Sequence, residues 1–322
     1  MIYNNIEIIH TKPIEIVHNN YENNYEILFA YIDNIYVQKF TYPTNIINNF
    51  GYLLKDKKKI NIECESFLLY SFYYQISFAH FVYQCLPKLK YYLEEFYDAK
   101  IVIPKSSYNY FVEEILFYCN INKDNIIFLE EDIVYNFKIL HTFSHNEYTM
   151  DINPDIIYVF DKIRSCLNIT ENKNPYRKIY LKKDGEINKK YGNSEVGVSR
   201  VIINEEELTT YLKSEGFEII TLGDKNILEK NKLLEDVDIL ITQIGANCIN
   251  FLFSNSPKKI LFLSNEFPIG KDFYINMTSN LNKSVIQHDI FCYRTEINYD
   301  NKNHTNGQFI VNMVDIKKYL NK

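Results

Sequence analysis

Apolar and polar positions change period several times along the 322-residue chain. The first sixty residues alternate as β structure does. EILFAYIDNIYVQKF holds two β-rich runs around Asp33-Asn34, a hairpin signal. KDKKK at 55–59 reads as an exposed, solvated loop. Residues 66–87, SFLLYSFYYQISFAHFVYQCLP, contain no Asp, Glu, Lys or Arg and are long enough to span a bilayer. Ser71, Gln75, Ser77, His80 and Gln84 interrupt them, however, and tyrosines take the place of aliphatics, so the expectation is a buried helix of a soluble protein. From Gln75 the period is helical, with Pro87 as a kink. AKIVIP (99–104) predicts a short buried strand. SSYNYFVEEILFYCNI predicts a helix capped by Ser106 or Ser107, and NIIFLE (125–130) a further strand. Strand–helix–strand at this spacing implies a parallel βαβ unit.

The second half alternates more plainly. INPDIIYVFDKIRSCLNI (152–169) reads as a connecting helix, and the polar ENKNP after it places a domain boundary near residue 170. Strand RKIYLKK (177–183) precedes a polar loop through Gly192 and Gly197. A helix over 205–215 has Asn204 as N-cap and Glu207 three positions on, the capping-box spacing, and ends at Gly216. Strand FEIITL, helix NILEKNKLLEDV, strand DILIT, a short helix from Ala246 and strand KKILFL (258–263) follow. Residues 294–310 read as polar loop, and VDIKKYLNK as a final helix. The prediction is α/β in class: residues 1–170 an α/β domain with a β-rich start, residues 171–322 a Rossmann-like domain. Its ligand crevice belongs beyond the carboxyl ends of the strands.

Composition narrows the field. The 35 basic against 41 acidic residues give a formal charge of −6, and no basic block marks a nucleic-acid footprint. Asn, Lys, Ile, Tyr and Phe are abundant, all with A/T-rich codons, so the 28 tyrosines need not form a stacking platform. The four Asn-X-Ser/Thr sequons (at Asn168, Asn276, Asn282 and Asn303) come cheaply in such a chain. Six scattered cysteines without a CxxC pair suggest neither zinc nor a disulfide framework and fit a reducing, cytoplasmic compartment. The N-terminus lacks the pattern of a signal peptide.

Three features could carry chemistry. In DILITQIGANCINFLF (238–253) a strand meets a helix through Gly245, Ala246 and Asn247. Backbone N–H groups there, with no Cβ on the glycine, would admit a diphosphate, and a plain tight turn would use the same residues. Lys183 and Arg200 fall at the same predicted rim and would neutralise a diphosphate leaving group, or else are two surface cations. His80, inside the uncharged run, is either a core histidine or a base facing a cleft. The remaining histidines form no ligand-spaced set, and there is no DxD-type pair at a strand end to hold a cation.

RKIYLKKD, SRVIINEEEL, GFEIITL, LLEDVDILITQIGANCINFLF and KDFYINMTSNLN, in that order and spacing, resemble the family 61 glycosyltransferases. ISFAHFVYQCLPKL resembles that family's Asn-Tyr-X-His-Trp helix. The resemblance spans roughly residues 25–290. It implies a GT-B architecture of two Rossmann-like domains facing each other across a cleft, with a nucleotide-sugar donor on the C-terminal domain and the acceptor on the N-terminal side. It implies an inverting transferase that favours UDP-sugars, needs no tightly held metal or other cofactor, and acts on a glycan or glycan precursor. Lys183 falls where the family tends to have Arg, and Arg200 matches an Arg. Gly245, Ala246 and Asn250 match the glycine turn, and His80 the helix histidine. Three positions depart: Ile244 stands in place of the His of His-Gly-Ala, Gln84 near an acidic position, and Phe262 in place of an acidic residue that could contact a ribose. Losing an imidazole donor would cost about 1.5–3 kcal/mol unless replaced, and Gln243 could supply an amide instead.

The sequence thus predicts a glycosyltransferase, of hexosyl- or pentosyltransferase class, in polysaccharide or capsule biosynthesis. His80 would be its catalytic base, and Lys183, Arg200, Gln243, Gly245, Ala246, Asn247 and Asn250 its donor site. Nucleic acid and a transmembrane segment are not expected. A non-catalytic nucleotide-sugar- or glycan-binding relative is the alternative, motivated by the three departures, and a GT-B-like pyruvyl transferase is a third.

Overall fold

The computed structural model describes residues 2–11, 27–32, 35–39, 57–70, 78–105, 108–130, 133–142, 153–167, 177–183, 200–254, 259–265, 278, 287–293, 295–298 and 307–321. The chain divides into two compact units, Met1–Thr149 and Met150–Lys322. Both are mixed α/β with parallel pairing, as the alternation predicts.

In the first unit, β1 (Ile2–Thr11), β2 (Ile27–Ile32) and β3 (Ile35–Lys39) pair antiparallel, the last two forming the expected hairpin. Then come β4 (Lys58–Leu68), α1 (Phe78–Glu95), β5 (Lys100–Pro104), α2 (Tyr110–Tyr118), β6 (Ile126–Leu129) and β7 (Ile133–Thr142). All seven strands form one sheet in the order β3-β2-β1-β7-β4-β5-β6. β7, β4, β5 and β6 are mutually parallel, and β1 meets β7 antiparallel. α1 runs unbroken through Pro87 and buries Phe81, Val82, Cys85, Leu86, Leu89 and Tyr92.

Several local expectations are corrected. Lys58 and Lys59, expected in a loop, begin β4, which the alternating exposed and partly buried residues Lys58–Ile62 signal only weakly. Ser66–Leu68, placed in a buried helix, end that strand instead. β7 was not foreseen. α2 is capped by Asn109, whose side chain accepts from Val112 N; the helix begins at Tyr110, and Ser106 and Ser107 lie outside the described residues.

The second unit opens with α3 (Ile156–Cys166), so the contact division falls before this helix rather than after it. The reason is packing. Phe160 meets Phe253 edge-on at 5.1 Å, and Arg164 donates to Leu252 O at 2.7 Å. β8 (Arg177–Leu181), β10 (Phe217–Ile220), β11 (Val237–Gln243), β12 (Lys259–Asn265) and β13 (Gln287–Tyr293) form an all-parallel sheet in the order β10-β8-β11-β12-β13. α4 (Glu205–Ser214) precedes β10, α5 (Ile227–Leu234) precedes β11, and a 3₁₀ helix, Ala246–Phe253, precedes β12.

A second correction concerns 294–310, expected as loop. β14 (Thr295–Asn298) and β15 (Gly307–Phe309) lie there, and β15 pairs parallel with β9 (Arg200–Ile202). Three- and four-residue strands are too short to show a period. Phe309 nevertheless anchors the core on this side of the main sheet, with Tyr180, Ile202, Leu208, Leu212, Ile241, Leu261, Leu263 and, from α6 (Met313–Leu320), Ile316 and Tyr319.

The capping box at Asn204 and Glu207 is absent. Asn204 makes no side-chain cap bond to α4. Its amide instead brackets the Val311 backbone, accepting from Val311 N at 2.8 Å and donating to Val311 O at 2.9 Å. With φ −95° and ψ 35°, Asn204 is not in the extended conformation that folds a cap back over the helix. The reciprocal box occurs on α5, between Asn226 and Glu229. Among the described residues no helix is long and apolar enough to cross a membrane.

Candidate functional site

Counted within the main sheet of the second unit, the strands run 2-1-3-4-5. In such a sheet the strand order reverses between β8 and β11, and the crevice outside their carboxyl ends is where a ligand has room. The candidate donor residues must be judged against that place.

β11 ends at Gln243, and Gly245 makes the turn with φ 140° and ψ −166°. Only glycine adopts this conformation without strain. The Ile244 N–H donates to Leu263 O and the Cys248 N–H to Gly245 O. The N–H groups of Gly245, Ala246 and Asn247 lie between, at the start of the 3₁₀ helix, where a helix leaves donors without intrahelical partners. The Ala246 side chain lies outside the described residues.

Asn247 and Asn250 brace this turn. Asn250 donates to Asn247 O at 2.8 Å and to its Oδ1 at 3.2 Å, and Asn247 reaches Lys182 O at 3.4 Å. That last contact ties the turn to the end of β8. Thr242 Oγ1 bonds Leu181 O at 3.3 Å one step earlier. The glycine turn and the β8 terminus are therefore one rigid edge.

Gln243 is the feature of this edge that asks for a ligand. Its side chain is 3% exposed, and Nε2 has no hydrogen-bond partner in the structure. A buried amide donor left unmade costs about 1–3 kcal/mol, a cost an acceptor bound at the edge would relieve. Ile244, at the position expected for an imidazole, is 3% exposed and apolar. The amide beside it is the polar group that remains. Phe262 is fully buried in the middle of β12, in register with Thr242, one step before Gln243.

Lys183 follows β8 by two residues and is partly buried. Arg200 begins β9, in the small sheet with β15, and its side chain lies outside the described residues. The sequence reading passed over three neighbours. Lys182 Nζ stands 3.3 Å from Glu205 Oε2, and Glu205 Oε1 accepts from Tyr180 OH at 2.9 Å. Tyr180 is fully buried, and burial, with the Glu205 carboxylate second, pushes its phenol well above the usual range, so it stays a neutral donor. Tyr180 in β8 and Lys182 just after it are two apart, and both side chains reach Glu205. With the acidic start of α4, Glu205-Glu206-Glu207, that spacing was the available signal.

In the first unit, His80 lies in the first turn of α1, and its side chain lies outside the described residues. Gln84, one turn on, is buried. Lys88, a further turn on, is buried as well and donates to Tyr70 O at 2.6 Å, just past the end of β4. His141 is a structural histidine: its ring lies 4.1 Å from that of Phe96, and Nε2 pairs with Glu65. Among the described residues no three His, Cys, Asp or Glu side chains cluster as a metal site would require.

The model of the family described as Glycosyltransferase 61 matches residues 78–261, more than half of the chain. It extends from α1 through the β8/β11 edge into β12. No curated protein matches.

Proposed function

Since the chain belongs to glycosyltransferase family 61 and is a glycosyltransferase, we propose that it takes its sugar from a nucleoside diphosphate, UDP favoured, bound at the carboxyl edge of β8 and β11. The observation that carries this reading is the buried amide N–H₂ of Gln243, which has no partner, next to a glycine turn at the sheet's switch point. An oxyanion there would accept from the amide and from the turn N–H groups, and Lys183 and Arg200 would balance its charge. Stabilising the departing diphosphate this way lowers the barrier without a metal.

The transfer itself needs a base to take the proton of an acceptor hydroxyl. We assign that role to His80, on the strength of the family resemblance of its helix, and with it inversion at the sugar, a GT-B arrangement and a glycan acceptor on the N-terminal side. Five described cysteines, Cys64, Cys85, Cys119, Cys166 and Cys248, are in no disulfide, which suits a cytoplasmic setting.

Calorimetric titration with UDP, GDP, CDP and their common sugars, with and without a divalent cation, tests the donor assignment. One nucleotide should bind selectively and without metal, and Arg200→Ala should abolish that binding while the circular dichroism spectrum stays unchanged. Affinity unaltered in Arg200→Ala would remove that residue from the site. Wild-type protein that binds no nucleotide would instead favour a non-catalytic glycan-binding relative.

A further inference from the structure

Two donors meet on neighbouring strands at the β8/β11 edge. Leu181 is in register with Thr242, the last pair of the two strands, and Lys182 and Gln243 are the residues that follow them in sequence. Tyr180 and Ile241 both point into the core that carries α4 and α6, and alternation puts Lys182 and Gln243 on that same face. Adjacent strands are about 4.8 Å apart. An ammonium and an unpartnered amide N–H₂ cannot satisfy each other, because both only donate. They can share one acceptor-rich group.

Glu205 makes the arrangement firm. Its carboxylate sits in the first turn of α4, where the helix dipole favours negative charge. One oxygen accepts from Tyr180 OH and the other faces Lys182. The Lys182 side chain is 39% exposed, so its ammonium is held on one side and open on the other. A lysine otherwise loses much rotamer freedom on binding a ligand, and a tether made beforehand reduces that loss.

We propose that Lys182 and Gln243 form a two-donor clamp on the phosphate oxygens of the donor, and that Glu205, itself fixed by Tyr180, is the positioning residue that holds Lys182 in place. The clamp rests on the donor-site reading above and adds to it a cation and a mechanism of preorganisation. It differs from a pair of surface charges because its members act in series: Glu205 matters only through Lys182.

A double-mutant cycle reads this directly. Wild type, Lys182→Met, Glu205→Gln and the double variant are titrated with whichever of UDP, GDP and CDP binds wild type most tightly, and their melting temperatures are compared. Lys182→Met keeps the aliphatic stem and should weaken binding at least tenfold. Glu205→Gln keeps the hydrogen bond from Tyr180 and should weaken it about three- to tenfold. The double variant should be no weaker than Lys182→Met alone. Losses that multiply would overturn the positioning role of Glu205. Wild-type affinity in Lys182→Met would overturn the clamp and leave the donor site standing. Failure of wild type to bind any of the three nucleotides would overturn both together.

Discussion

Tyr92 shows how much one side chain on a buried helix face can carry. Its hydroxyl donates to Tyr97 O and Ala99 O, both at 2.9 Å, where α1 turns into β5. Burial, followed by the neighbouring Tyr97 and Asp98, raises its pKa from 10.0 to about 12. A phenol with a raised folded pKa stabilises fully below the unfolded value and loses that contribution as pH climbs towards the folded one. Tyr92→Phe should therefore cost about 1–3 kcal/mol near neutral pH, and the gap from wild type should narrow above pH 10. Urea unfolding of both proteins at pH 8, 10 and 11 measures it, and a constant gap would refute the assignment. At the functional edge, residue identities were only half legible. Gly245 and Gln243 could be picked out as candidates because an apolar strand meets a short helix there through a glycine, a junction that a plain tight turn shares. Lys182 and Glu205 were missed because their meeting depends on how α4 folds back on β8, and they are more than twenty positions apart.

Helices and long strands were readable because each repeats its period several times. Their ends were less so. Asn204 and Asn226 both precede an acidic residue by three positions, yet only Asn226 forms the box. The difference lies in a partner 107 residues away from Asn204, the Val311 backbone, which competes for the same amide. Asn226→Ala should thus cost about 1 kcal/mol, an ordinary cap. Asn204→Ala should cost more, because it strands both polar groups of Val311 between α4 and α6 and not one helix donor. Melting temperatures of the two variants decide it, and equal losses would contradict the comparison. Gly216 ends α4 with φ +82° and open space around its missing side chain. Gly216→Ala should lose about 1–2 kcal/mol through backbone strain alone, with no change in nucleotide affinity.

The alternation of strands and helices predicted α/β structure with parallel pairing, and both contact units, Met1–Thr149 and Met150–Lys322, have it. What local pattern could not settle is where α3 belongs, since an amphipathic helix announces a buried face without naming its partner. Ile156, Val159, Phe160 and Ile163 are all buried, and Phe160 packs on Phe253 of the second unit. A fragment covering 150–322 should consequently unfold cooperatively, while one covering 171–322 should lack a cooperative transition. Phe160→Ala in the whole chain should cost about 3–5 kcal/mol. A cooperative transition in the shorter fragment would show that α3 is dispensable to that core.

At this scale the molecule places a buried amide N–H₂ without a partner, a positive-φ glycine turn and a tethered lysine along one edge of one sheet. We propose that a nucleoside diphosphate binds there. A crystal structure of the protein with the nucleoside diphosphate that titration selects decides it. Phosphate oxygens should lie within hydrogen-bonding distance of Gln243 Nε2 and the N–H groups of residues 245–247, beyond the ends of β8 and β11. A nucleotide seated elsewhere, with the Gln243 amide still unpartnered, would contradict it.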